Sequence, residues 1–127
     1  GRMIMYVTPE EYKAITRANS IEENILEQEL ERAQQQIDAM TYNRIVHIGF
    51  DALTEFQQKL VKQAVVEQAD FNAEYGAALE NPLASYGING VSMSWDKDKL
   101  AQINGVYTSS GVRMLLIQTG LLYRGVI

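Results

Sequence analysis

The chain has 127 residues, of which 46% are hydrophobic, and this suits one compact domain with a core of its own. It has no cysteine and one histidine, which excludes disulfides and thiolate chemistry and argues against a histidine-based metal site. The net charge of −5 argues against broad binding to nucleic-acid phosphates, because that affinity comes mainly from Lys and Arg.

No hydrophobic run approaches the roughly 20 residues that a membrane-spanning helix needs. The first residues also lack the pattern of a signal peptide. Gly1 and Arg2 precede Met3 and are interpreted as a cloning remnant. A single domain with no membrane partner is therefore predicted over residues 3–127.

Two helices are predicted in the first third of the chain. The first covers about residues 8–17, because Thr8-Pro9-Glu10-Glu11 is a capping box with Pro at the first helical position. The second covers about 20–40 and begins with another capping box, Ser20-Ile21-Glu22-Glu23. The Gln34–Gln36 run is predicted to face mostly outward. The apolar stripe of the second helix consists of Ile21, Ile25, Leu26, Leu30, Ala33, Ile37 and Met40.

The central element is a long helix predicted over about 54–78, after an irregular connector at Thr41–Asp51. Thr54 and Gln57 form a capping box, and neither Pro nor Gly occurs before Gly76. A helix of this length crosses a whole small domain, so the other elements are expected to pack around it. Its predicted core stripe includes Phe56, Leu60, Ala64, Phe71 and Tyr75, and its predicted exposed face carries Lys59, Lys62, Glu67, Gln68 and Asp70.

A β-hairpin insertion is predicted at about 84–95. Asn89-Gly90 separates two short alternating runs, and this dipeptide favours the type I′ turn of a two-residue hairpin. A lone two-stranded hairpin is marginal in water, so it needs either its own helices or a neighbouring subunit to lie on. The Leu100–Tyr107 segment is ambiguous and is expected to hold a short helical turn.

A last helix is predicted over 109–119, starting at Ser109 or Ser110 and ending at Gly120. The apolar end at 120–127 is predicted to be an extended arm that reaches another subunit, with docking on its own chain as the alternative. The fold class is therefore mainly α, a small helical bundle built on a long central helix. The residues predicted to form an interface with another subunit or partner protein are Tyr86, Ile88, Val91, Met93, Trp95, Leu121, Leu122, Tyr123 and Arg124.

The order of these elements resembles the head–tail connector proteins of tailed bacteriophages, also called head-completion or adaptor proteins. The resemblance covers nearly the whole chain from Met3. It includes Thr-Pro-Glu-Glu-Tyr at 8–12, the acidic helix from Ser20 and Leu-Thr-Glu-Phe-Gln at 53–57. Its most specific parts are Ser-Tyr-x-Ile-x-x-Val-Ser-Met-Ser at 85–94 and Thr-Gly-Leu-Leu-Tyr-Arg-Gly-Val at 119–126.

The resemblance implies a structural virion protein with no catalysis and no cofactor. Copies are expected to form a ring, usually twelve-fold, between the portal protein and the next connector or tail-completion protein, while the free chain is able to be monomeric. The ring would extend the DNA channel, and DNA would pass through its lumen without sequence-specific binding. The protein would be made in the cytoplasm of the host bacterium, from a phage or prophage genome, and would end at the head–tail junction.

Other classes of function remain as alternatives. His47 with nearby Asp51 is a candidate acid–base pair, although a lone histidine in a segment that links two helices is more often structural. The carboxylates considered for a metal site in a bundle are Glu27, Glu31, Asp38, Glu67 and Glu74, and the simpler interpretation is a solvated acidic face. A small helical DNA-binding or regulatory protein is the alternative function, which a helix rich in Lys and Arg would support.

Overall fold

The fold was analysed in a computed structural model that describes residues 5–19, 21–80 and 100–122, with the backbone alone for residues 76–80 and 100. These ranges are mainly helical, which confirms the predicted fold class, and they contain one antiparallel hairpin. The elements in chain order are α1 (Pro9–Ile15), α2 (Glu23–Met40), α3 (Arg44–Ile48), a 3-10 turn (Phe50–Ala52), α4 (Glu55–Glu80), β1 (Leu100–Ile103), β2 (Val106–Ser109) and α5 (Ser110–Thr119).

Helix α4 is the central element, as predicted, and it packs against α1, α2, α5 and β2. The predicted capping box begins it: the Gln57 N–H donates to Thr54 Oγ1 and the Thr54 N–H donates to Gln57 Oε1, each at 3.0 Å. Because partners cover more than one side, apolar side chains on several faces of its middle are buried. These are Leu60, Val61, Ala64, Val65, Val66 and Ala69.

Two predictions about the faces of α4 were wrong. Phe56 is 60% exposed, because it lies in the first turn, where α5 has already reached its end and covers only the neighbouring Gln57. Gln68 and Asp70 are buried, because polar groups of β2 and of the α1 region bond to their side chains. Burial of a polar side chain requires such partners, which the spacing of apolar residues does not reveal.

Helix α2 begins at Glu23, so the predicted capping box at Ser20 is wrong. Glu22 is the N-cap residue and makes no side-chain capping bond. The carboxylate of Glu23, which a capping box would direct back to the backbone, instead accepts a hydrogen bond from Lys13 of α1. The predicted apolar stripe is buried except at Ile25, which is 43% exposed.

The Gln34–Gln36 run does not face outward as predicted. Gln34 is buried, and its Oε1 accepts the Tyr6 N–H at 2.8 Å. Gln36 is half-buried, because its Oε1 accepts from Asn72 of α4 at 2.6 Å, while Gln35 is exposed.

The hairpin of the described residues lies at Leu100–Ser109, so the helical turn predicted within Leu100–Tyr107 is wrong. Leu100 pairs with Ser109 and Ile103 with Val106, around a turn formed by Asn104 and Gly105. Both turn residues have positive φ, +49° and +83°, as a type I′ turn requires. The hairpin predicted at 84–95 lies outside the described residues.

The remaining helix signals are confirmed, with shifted ends. Thr8 and Glu11 form the predicted capping box, and α1 then ends at Ile15. Ser109 caps α5 by accepting the Val112 N–H at 3.1 Å, and Gly120 ends it with a φ of +78°. The connector is more regular than predicted, because α3 and the 3-10 turn occupy most of it. None of the described helices is both long and apolar enough to cross a membrane.

Candidate interaction surfaces

The predicted arm begins as a turn packed on its own chain. Residues 120–122 form this turn, Leu121 is 6% exposed within the hydrophobic core, and Leu122 packs partly against that core. The Leu121 N–H also donates to Thr119 Oγ1 at 3.1 Å. The burial of Leu121 therefore leaves little of its side chain for a neighbouring copy. The other predicted interface residues, Tyr86, Ile88, Val91, Met93, Trp95, Tyr123 and Arg124, lie outside the described residues.

Two tyrosines attach the N-terminal segment and α1 to the longer helices. Tyr6 donates its hydroxyl to Asp38 of α2 at 2.8 Å, and Tyr12 donates to Asp70 of α4. Thr16 donates to the second oxygen of Asp70 at 2.5 Å. Burial raises the pKa of both tyrosines, and burial likewise raises the pKa of Asp38. The protonated tyrosines are therefore hydrogen-bond donors that fix the packing of this end of the chain.

The hairpin is attached to the helices by a buried polar network centred on Gln68 of α4. The Gln68 side chain donates to the Tyr107 carbonyl at 3.1 Å and accepts from the Thr108 hydroxyl, both in β2. It also donates to Gln36 of α2 at 3.2 Å and to Asn72 one turn further along α4 at 3.1 Å. A single side chain thus joins three elements at the centre of the molecule.

The turn of the hairpin makes a second attachment, at the C-terminal end of α2. The Asn104 side chain donates to the Ala39 carbonyl at 2.7 Å, across 65 residues of chain. Thr41 donates to the Ile37 carbonyl at 2.9 Å in the same last turn of α2. Both carbonyls also accept a backbone N–H, that of Tyr42 at Ala39 and that of Thr41 at Ile37, so each side chain adds a second bond at this helix end.

A half-buried carboxylate, Glu67 of α4, faces the first turn of α5. A Cβ atom added to Gly111 would lie 3.0 Å from Glu67 Oε1, so the carboxylate closely approaches this helix end. Burial raises the pKa of Glu67, the charge of Arg17 opposes the rise, and Asp70 adds to it. Burial therefore makes ionisation of the Glu67 carboxyl less favourable in the folded chain than in water.

A surface groove of about 490 Å³ lies between the end of α1 and the first half of α4. Three basic side chains, Arg17, Lys59 and Lys62, and one acidic side chain, Glu55, lie along it. The α1 side contributes Ala14 and Ile15, and α4 also contributes Gln58 and Gln63. The groove is thus an electropositive surface on a chain whose net charge is −5.

The charges of the groove are only partly neutralised within the described chain. Lys62 forms an ion pair with Glu11 of α1. Lys59 is exposed and makes no ion pair with any described residue, and Arg17 is also exposed. Sequence analysis placed Lys59 and Lys62 on a solvated face but did not connect them with Arg17, which folding brings beside them. The available signal was their spacing of three residues on one helix face.

Exposed apolar side chains occur on two further elements. On α3, Val46 is 58% exposed and Ile48 is also exposed. On α5, Met114 is 54% exposed and Ile117 lies one turn further along, away from the buried Val112 and Leu116. Met114 and Ile117 share one face of α5, and such a pair is suited to contact with another protein surface, whereas Val46 and Ile48 are two residues apart and point to different sides of α3.

The residues considered for catalysis or metal binding do not converge. His47 on α3 and Asp51 in the 3-10 turn are both exposed. Glu27, Glu31 and Glu74 are also exposed, whereas Asp38 bonds to Tyr6 and Glu67 faces α5. Among the residues that the structure describes, no three His, Asp or Glu side chains come together as a metal site.

Comparisons with protein-family models, with curated proteins and with solved structures found no match.

Proposed function

We propose that this chain is a structural subunit of a ring at the head–tail junction of a tailed bacteriophage, between the portal protein and the tail. The proposal rests on the resemblance of residues 3–127 to connector proteins and on a fold of the expected kind, a helical bundle around one long helix with a hairpin. In this role the protein acts by binding other subunits, needs no cofactor and carries out no catalysis.

One observation carries the proposal: the described residues pack into a hydrogen-bonded core and leave apolar side chains outside it. In the described part of the chain, every buried side-chain nitrogen and oxygen has a hydrogen-bond partner. Val46 and Ile48 on α3, with Met114 and Ile117 on α5, remain outside this core. Apolar side chains exposed on a well-packed subunit favour a role in an assembly, where the function is contact between subunits.

A ring requires two different surfaces on each copy, because one patch must meet another patch on the next copy. The α3 and α5 surfaces are candidates, as are the predicted hairpin residues 86–95 and the end of the chain at Tyr123 and Arg124. Portal and tail-side partners would occupy the remaining surfaces. An acidic subunit would also allow DNA to pass without adhering, since like charges repel at a channel wall.

The first test is removal of residues 123–127, with truncation starting after Leu122 because Leu121 belongs to the core. We expect the shortened chain to keep its helical circular dichroism and to be lost from purified virions or from assembled rings. A matched control, Leu121→Ala, should instead lower the thermal unfolding midpoint. Complete rings built from the shortened chain would show that this segment does not couple the subunits.

The second test addresses the role itself, by disrupting the gene in the phage or prophage that carries it. We expect filled heads and separate tails that fail to join, and complementation with the intact chain should restore joined particles. Normal infectious particles formed without the protein would contradict the proposal. Tight, salt-sensitive binding of duplex DNA by the isolated protein would instead favour the small helical regulator, because such binding reports many phosphate contacts.

A further inference from the structure

The electropositive groove has a counterpart on the same chain, on the outward face of α2. Glu27 and Glu31 are exposed there one turn apart, and Glu22 and Glu23 continue the acidic character at the start of the helix. Side chains four residues apart on a helix lie about 6 Å from each other, so the two carboxylates form a short acidic row. Gln28, also exposed, lies to one side of this row.

We propose that the groove between α1 and α4 of one copy receives the acidic face of α2 of the next copy. This inference rests on the proposed ring and names one contact between its neighbouring subunits. The groove and the α2 face are different surfaces, so their contact is heterologous and can continue from copy to copy until a ring closes.

Charge complementarity identifies α2 as the occupant. The chain already forms two ion pairs between its own helices at this side of the molecule, Lys13 with Glu23 and Lys62 with Glu11. Lys59 is an exposed cation of the groove that makes no ion pair with a described residue, and Arg17 is a second exposed cation there, whose charge also acts on Glu67. On α2, Glu27 and Glu31 are exposed anions. A second copy thus supplies a partner for each set.

The groove also offers more than charge, which it needs because an exposed ion pair alone contributes about 0–1 kcal/mol. Ala14 and Ile15 give it an apolar side, and Gln63 gives it a hydrogen-bonding amide. On α2, Gln28 and Gln35 are exposed amides, whereas the exposed Ile25 lies on another side of the helix from Glu27 and Glu31. The two surfaces therefore match in polar and charged groups.

A nucleic acid fits the groove less well. Glu55 lines the groove, Lys62 is paired with Glu11, and the charge of Arg17 also acts on Glu67, so the described groove residues offer little free positive charge to a polyanion. A duplex carries about one negative charge per 1.7 Å of its axis and would meet a chain whose net charge is −5. An acidic helix carries fewer charges than a duplex and spaces them further apart, and the cations of the groove are likewise few and separated.

Disulfide crosslinking gives a direct test, because the chain contains no cysteine. Three single variants of one residue type are used: Gln63→Cys in the groove, Gln28→Cys on α2 and Gln118→Cys on the exposed side of α5 as the control. Circular dichroism first verifies that each variant is folded. Under mild oxidation, the mixture of the groove and α2 variants should yield about tenfold more mixed dimer than either variant mixed with the control.

Charge reversal then tests the cause of the contact. Lys59→Glu in the groove variant should lower the crosslink yield about tenfold, and Glu27→Lys with Glu31→Lys in the α2 variant should restore it. Salt should lower the yield of the original pair, because it screens exposed charges.

The outcomes separate this contact from the proposed function. If oligomers form but the crosslink yield between the groove and α2 variants is no higher than that of the control, the proposed contact is wrong and the connector role is unaffected. A yield that is insensitive to Lys59→Glu overturns the contact as well, and so does duplex DNA that blocks the crosslink at physiological salt. A strong crosslink in a protein that is absent from virions supports the contact but refutes the connector role.

Discussion

At the scale of single residues, Gln68 shows how one buried amide determines the packing of several elements. It bonds to Gln36, Asn72, Thr108 and the Tyr107 carbonyl, and its side chain is fully buried. A buried polar group that loses its partner retains the cost of leaving water. The network therefore favours one arrangement of hairpin and helices over other apolar packings of similar volume.

We predict that Gln68→Leu lowers the free energy of unfolding by about 2–4 kcal/mol, because a similar volume is kept while several buried groups lose their partner. Chemical denaturation of the purified variant measures this loss. Gln35→Leu, at an exposed position of α2, is the matched control and should change stability by less than about 0.5 kcal/mol. Equal effects of the two substitutions would contradict a structural role for the network.

A second prediction at this scale concerns the pH dependence contributed by Glu67. Burial raises its pKa in the folded chain above its ordinary value of 4.5. Between the two values the folded state binds more protons than the unfolded state, so this group's contribution to stability falls as pH rises through the folded pKa. Glu67→Gln removes this contribution and should gain stability relative to the original chain as pH rises from 4.5 toward neutrality.

Unfolding free energies measured across this pH range test the prediction. Glu74→Gln is the matched control, because Glu74 is exposed on the same helix. A flat difference for Glu67→Gln would show that the burial of this carboxylate does not affect folding.

At the scale of elements, the hairpin depends on a turn that favours glycine. Gly105 has a φ of +83°, and an L-residue in the left-handed region costs about 1–2 kcal/mol. We therefore predict that Gly105→Ala lowers the free energy of unfolding by about this amount. The loss should appear in chemical denaturation and as faster amide exchange in Leu100–Ser109.

The matched control is Gly111→Ala in the first turn of α5. There the new methyl group would meet only the movable end of the Glu67 side chain, at 3.0 Å, and a side-chain oxygen of Ser109 at 3.6 Å. Alanine also favours the helix over glycine. We expect this variant to be close to neutral, and a larger loss than at Gly105 would contradict the assignment of the turn.

The same hairpin explains which elements the sequence could predict. Capping boxes at Thr8 and Thr54, Ser109 at the start of α5 and Gly120 at its end are local signals, and each was located from nearby residues. Asn104-Gly105 carries the same dipeptide signal as Asn89-Gly90, but its strands have only four residues each. Their stability comes from Gln68 and Ala39, which are distant in sequence, so local pattern alone left the segment ambiguous.

The groove was harder to predict than any helix, for a related reason. Its cations Arg17, Lys59 and Lys62 come from two elements, and only the packing of α1 on α4 brings them together. The Ser20 capping box failed similarly, because Glu23 found a partner in Lys13 of another helix. Both the groove and the start of α2 depend on contacts between elements, and the spacing of residues within one element does not reveal such contacts.

At the scale of the whole molecule, the attachments of α1 and α4 differ in strength. Helix α1 has seven residues and is held mainly by Tyr12, Thr16 and an ion pair from Glu11. The middle of α4 is covered by α2, α5 and β2. Segments with few buried contacts open locally, whereas central ones open only when the whole domain unfolds.

We predict that amides of residues 61–72 in α4 exchange with solvent only through global unfolding, and that amides of α1 exchange at least about tenfold faster. Hydrogen exchange followed by NMR or mass spectrometry at increasing denaturant measures this. Tyr12→Phe should speed exchange in α1 further and leave the α4 amides changed only by the loss in overall stability. Equal protection of the two helices would contradict this order of opening.

The bond from Asn104 to the Ala39 carbonyl has a consequence for the birth of the protein on the ribosome. Helix α2 can form as soon as it leaves the exit tunnel, and the Tyr42 N–H already bonds to the Ala39 carbonyl, but the second donor to that carbonyl is translated 65 residues after it. At a bacterial elongation rate of about 5–20 residues per second, that delay lasts several seconds. The contact between the hairpin turn and α2 is therefore absent while this part of the chain is made, and forming it is a late step toward the native molecule.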